Sequence, residues 1–157
     1  MPRITPCLWF NNQAEEAARF YNGIFKNSEI LSISRYGDNG HGTPGSVMTV
    51  KFILDGQEFL GLNGGPQFPF TEAVSMMVNC DTQEEIDYYW EKLLDGGQEV
   101  ECGWLRDKFG LPWQIVPARI ADMIADTDPV RSDRVMKAVL QMKKLDLNVL
   151  ERAYAGE

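Results

Sequence analysis

Apolar and polar positions along this chain run through the same pattern twice. The first apolar run, Ile4 to Phe10, has the length and composition of a strand. Asn11-Asn12 follows, and then Ala17, Phe20, Tyr21, Ile24 and Phe25 fall at i, i+3, i+4, i+7 and i+8, one buried face of a helix. Asn12 is placed to act as N-cap, with Glu15 three residues on to complete a capping box. The second run, Ala73 to Val78, leads through Asn79-Cys80-Asp81 to Thr82, an N-cap with Glu85 as its partner. Ile86, Tyr89, Trp90, Leu93 and Leu94 repeat the stripe, and Gly96-Gly97 ends it.

Strand signals follow each helix. Behind the first come Ser28 to Tyr36, Ser46 to Leu54 and Gln57 to Asn63, with Asp55-Gly56 as a hairpin turn. Behind the second come Glu99 to Cys102, Trp104 to Asp107 and Leu111 to Val116. The segment from Gly37 to Gly45 reads as a loop, and Gly64 to Phe70, with two prolines, as a link. The remainder breaks the scheme. Arg119 to Ala125 reads as a short helix, Asp128-Pro129 opens another with Val135, Val139 and Met142 on one face, and Leu145 to Ala155 continues it or forms a third. The expected fold is α+β. One domain holds two βαβββ modules, about 3–63 and 71–117, joined by 64–70 and followed by C-terminal helices over 118–157.

Composition narrows the function classes. A chain of 157 residues with 44% hydrophobic and 24% charged residues is long enough for a real core. The net charge of −8 and the lack of a basic cluster argue against nucleic acid as a partner. No apolar run reaches the length of a membrane span, and Met1-Pro2-Arg3-Ile4 carries no signal pattern, so a cytoplasmic protein is expected. Cys7, Cys80 and Cys102 are odd in number and lack CxxC spacing, as expected of reduced thiols.

Pro6-Cys7-Leu8-Trp9-Phe10, Asn63-Gly64-Gly65-Pro66, Cys80-Asp81-Thr82, the stretch Cys102 to Pro117 and Met142-Lys143-Lys144-Leu145-Asp146 resemble PhnB-like proteins. That branch of the vicinal oxygen chelate superfamily, which includes glyoxalase I, bleomycin-resistance proteins and extradiol dioxygenases, often carries the label 3-demethylubiquinone-9 3-methyltransferase. The resemblance implies a glyoxalase-like fold, a homodimer, and four strand positions that hold a divalent metal in the superfamily. Those positions fall near Thr5, Leu60, Ala73 and Gln114 here, with Glu72 the nearest carboxylate. Thr, Leu, Ala and Gln do not make an ordinary metal site, so neither a metal nor another cofactor is expected. The methyltransferase label implies S-adenosylmethionine. Gly61-Leu62-Asn63-Gly64-Gly65 runs into Pro66, however, and not into a helix whose N-terminus cradles a ligand.

Alternation along the strands places Leu8, Phe10, Val74, Met76 and Val78 toward the helices. Thr5, Cys7, Trp9, Ser75 and Met77 then face the other side, where Gln114 joins them and Asn63 or Trp104 lines the rim. Such residues suit a pocket for a small, flat or amphipathic molecule, and equally suit a filled interior or a dimer interface. His41, the only histidine, is either a solvated loop residue or a general base on a lid. Three functions stay open: a metal-free small-molecule binder, an enzyme (a methyltransferase, or a metal-dependent lyase or dioxygenase), and a purely structural or interaction role.

Overall fold

The computed structural model describes residues 3–157. The described chain divides into two compact units, one ending at Phe70 and the other beginning at Thr71. Each unit has a strand, a helix and three further strands, and the second adds three helices.

In the first unit these are β1 (Cys7–Phe10), α1 (Ala14–Asn22), β2 (Glu29–Arg35), β3 (Val47–Leu54) and β4 (Gln57–Asn63). The sheet order is β1-β4-β3-β2, with β1 parallel to β4 and the other pairs antiparallel. Helix α1 packs on β2, β3 and β4. Its buried face is Ala14, Ala17, Ala18 and Tyr21, continued by Ile24 beyond its end, against Leu8, Phe10, Val50, Phe52 and Leu54. Asp55 and Gly56 both have positive φ, as the type I′ hairpin turn between β3 and β4 requires.

In the second unit they are β5 (Met76–Cys80), α2 (Gln83–Leu94), β6 (Gln98–Glu99), β7 (Trp104–Arg106) and β8 (Pro112–Pro117). The order β5-β8-β7-β6 repeats that of the first sheet, again with its first pair parallel. Helix α2 buries Ile86, Trp90 and Leu93 and packs on β5, β7 and β8. Thr82 caps it as expected, its hydroxyl accepting from the Glu85 amide at 3.2 Å. Buried Asp107 shapes the β7–β8 turn. Its Oδ1 accepts from the amides of Phe109 and Leu111, and its Oδ2 from Trp113 Nε1 at 2.9 Å.

The tail forms α3 (Ile120–Ile124), α4 (Pro129–Val139) and α5 (Leu147–Ala155). These helices pack on their own unit: Val116 of β8 shares one apolar cluster with Met123, Val135, Val139, Leu145 and Leu150. The loop before α5 lies beside the β7 entry, where the amides of Cys102 and Gly103 donate to the carbonyls of Met142 and Lys143. Asp128 and Asp146 cap α4 and α5.

Four expectations need correction. β1 begins at Cys7, and Ile4 is 93% exposed rather than in a strand. β5 begins at Met76, so Val74 lies before the sheet and is exposed instead of facing α2. Phe20 is only half-buried, because the α1 face turns on the small residues Ala14 and Ala18, which let the helix sit close to the sheet. Asn12 does not cap α1. Gln13 holds that position without a side-chain bond, and the free amide of Ala14 donates to Asn63 Oδ1 at 2.9 Å.

Candidate functional site

A cavity of about 790 Å³ opens in the first unit, at the ends of β1 and β4. Because these two strands are parallel, both chain exits lie at the same edge, and the start of α1 stands beside them. Trp9, Tyr36, Asn63 and Phe68 form its walls, while Asn11, Asn12, Glu15 and His41 bring polar groups to it.

Asn63 organises this edge. It is buried, with its Oδ1 on the Ala14 amide, its Nδ2 donating to the Val47 carbonyl at 3.1 Å, and its own carbonyl accepting from the Tyr36 hydroxyl. One side chain thus ties β4 to the first turn of α1 and to the entry of β3. A buried amide is tolerated only when its groups are paired in this way.

Trp9 is the main wall. Its Nε1 donates to the Gly65 carbonyl at 2.9 Å, and Phe68 stands edge-on to it, centroids 5.0 Å apart and planes at 80°. Gly64 permits this: a Cβ there would lie 2.3 Å from the indole, so any larger residue would displace the ring. The loop from Gly37 to Gly45 closes over Tyr36. The Tyr36 amide donates to the Ser46 carbonyl, the Gly45 amide donates back to Tyr36, and Gly42 rests on the phenol ring. The closed loop delivers His41 to the cavity.

Of the residues singled out from sequence, Trp9, Asn63 and His41 meet at this cavity. Thr5 is exposed and its hydroxyl donates to Glu58, and Cys7 is exposed on β1, paired in register with Leu60. The others gather in the second unit. Met77 and Trp104 flank Gln114 in register on either side, and Gln114 Nε2 donates to Ser75 Oγ at 3.0 Å. Tyr36, Glu15 and Phe68 were not foreseen as cavity residues. Phe68 lies in the stretch read only as a link, where one aromatic among prolines and glycines carries no periodicity.

The residues expected near the superfamily's metal positions do not make a metal site. Leu60 offers no donor, Ala73 lies exposed ahead of β5, and Gln114 is bonded to Ser75. Glu72 is paired with Arg106, whose hydrogen bond holds its carboxyl below the usual range. Among the described residues, no three His, Cys, Asp or Glu side chains gather as a metal site. No helix there is long and apolar enough to cross a membrane.

Two βαβββ units, each with its parallel pair at one edge, define the glyoxalase-like fold of the vicinal oxygen chelate superfamily. Within it, residues 2–116 match the model of the family described as 3-demethylubiquinone-9 3-methyltransferase, and the chain belongs to that family. The PhnB protein of Bacillus cereus is 41% identical with a TM-score of 0.67, over 73% of this chain and 99% of that one. Protein PA1353 of Pseudomonas aeruginosa is 19% identical with a TM-score of 0.62, over 74% and 98%. The fosfomycin resistance protein FosX of Listeria monocytogenes is 16% identical with a TM-score of 0.52, over 77% and 94%, and shows the fold alone. No functionally curated protein matched the chain. The family model stops at the end of β8, so α3, α4 and α5 lie outside it.

Proposed function

We propose that this protein binds a small organic molecule, without a metal, in the cavity at the β1–β4 edge. The observation that carries this reading is the Trp9–Phe68 corner on a cavity of about 790 Å³, a volume suited to a small ligand. Aromatic walls supply apolar contact, and the amides and imidazole at the opening supply orientation. A panel of small aromatic and amphipathic compounds, titrated while following indole fluorescence, tests it. Binding that disappears in Trp9→Leu, with the fold intact by circular dichroism, supports the proposal. Binding that survives this substitution unchanged places the ligand elsewhere and ends it.

The family's description favours a second reading, methyl transfer to a quinol. It requires S-adenosylmethionine, and the glycines after β4 serve Trp9 rather than a helix N-terminus. Calorimetry decides: saturable heat with S-adenosylmethionine restores this reading, and none at millimolar cofactor removes it. A homodimer, implied by the resemblance, belongs to the proposal as well, and sedimentation velocity at micromolar protein gives one mass or two.

A further inference from the structure

The charge and shape of the cavity wall narrow the ligand class, given that the cavity binds a small molecule at all. The wall holds one carboxylate, Glu15, and no lysine or arginine among its described residues. Arg19 reaches Glu15 from the helix, but both of its contacts, from Nε at 3.0 Å and Nη2 at 2.8 Å, fall on Oε2, and Oε1 receives neither. The N-terminus of α1 carries about half a positive charge. The Asn63 side chain occupies its first amide, and Glu15 and Glu16 stand in the first turn. The one carboxylate of the wall is therefore Glu15, which Arg19 pairs from outside it through Oε2 alone, in a chain of net charge −8.

Its apolar part has a particular form. The Trp9 and Phe68 rings meet at 80°, with centroids 5.0 Å apart, so a group seated in the angle touches the face of one ring and lies close to the other. Phe68 is 64% exposed, which leaves much of its ring accessible. Ring faces are the negative regions of an aromatic side chain, and indole is the strongest of them toward cations. We propose that the cavity takes an organic cation, its alkylated ammonium head seated at the Trp9–Phe68 corner with Glu15 as counter-charge. An ammonium with several alkyl groups is the best fit, because it loses little hydration on entering and cannot use a hydrogen-bond cage. The cavity is much larger than such a head, so the body of the ligand extends along the polar opening formed by Asn11, Asn12 and His41.

The test uses three benzene-based probes on the full chain: phenyltrimethylammonium, its neutral isostere tert-butylbenzene, and the planar anion benzoate. Affinities are read by calorimetry and by chemical shifts of the Trp9 indole. The cation should bind about tenfold tighter than the neutral isostere, and benzoate weakest. Glu15→Gln should weaken the cation severalfold and leave tert-butylbenzene unchanged, while Trp9→Leu should weaken both. Equal affinity for cation and isostere, or preference for benzoate, overturns the cation assignment and leaves the small-molecule reading standing. If none of the three shifts the indole resonance, both readings fall.

Discussion

At the scale of residues, Asn63 and Asn12 exchange the roles that local pattern assigns them. An Asn one position before a helical stripe, with Glu at the third place, is the ordinary signature of a cap. Here the cap arrives from β4, distant in sequence, because β1 and β4 leave the sheet side by side and bring Asn63 against Ala14. Asn63→Ala leaves a helix amide and a strand carbonyl unpaired in a buried place, and should cost about 2 kcal/mol in urea denaturation. Asn12→Ala should cost less than about 0.5 kcal/mol, as for an exposed position without such a role. Equal losses for the two would contradict the observed cap. The cysteines separate in the same way. Burial, helped by the charges of Glu85 and Asp81, pushes the Cys80 thiol up to about 12, and only a thiolate attacks. Iodoacetamide at neutral pH should modify exposed Cys7 first and reach Cys80 only in urea, as read by peptide mass spectrometry.

At the scale of elements, the two units put one sheet edge to different uses. In register, Asn63 stands opposite Phe10 at the end of β1 as Pro117 stands opposite Cys80 at the end of β5, and the next amide in each case, Gly64 or Ala118, donates back to Phe10 or Cys80. In the first unit that edge opens as the cavity. In the second, Val116 beside it is covered by α3, α4 and α5. The tail is thus part of the second unit's core and not an appendage. Leu150→Ala, at a fully buried site in this cluster, should destabilise by about 3 kcal/mol, while Val149→Ala, partly exposed on the same helix, should cost well under 1 kcal/mol. Paired urea titrations give the comparison. A small loss at Leu150 would mean that the helices detach in solution. Cap and stripe made α2 legible from sequence, since Thr82, Ile86, Trp90 and Leu93 all act as their spacing suggests. The wall segment from Gly64 to Phe68 was not legible, because its order comes from contact with Trp9 and not from its own periodicity.

At the scale of the molecule, the acidic composition has a consequence for stability. Three carboxylates of the second unit are held below their usual range: Glu72 by its bond from Arg106, Asp87 by Lys144 and then Gln83, and Asp126 by the Tyr154 hydroxyl. A carboxyl depressed in the folded state takes up its proton first in the unfolded chain. The stabilisation is therefore whole at neutral pH and is lost as pH falls from about 4 downward. These groups are exposed, so the effect is modest and weakens with salt. The urea midpoint should fall as pH drops below about 4, and less steeply in Arg106→Gln, which frees Glu72. An unchanged slope in that variant would remove the Glu72–Arg106 pair as a source of acid sensitivity. The doubled strand–helix–strand order and the hairpin at Asp55-Gly56 were legible along the chain alone, since each depends on near neighbours in it. Tertiary structure alone decided that Asn63 caps α1, that the glycine loop closes over Tyr36, that Phe68 turns edge-on to Trp9, and that the tail covers β8. All but the glycine loop join residues far apart in sequence, and such contacts depend on how strands exit a sheet and what space is left beside them, quantities that no local spacing encodes.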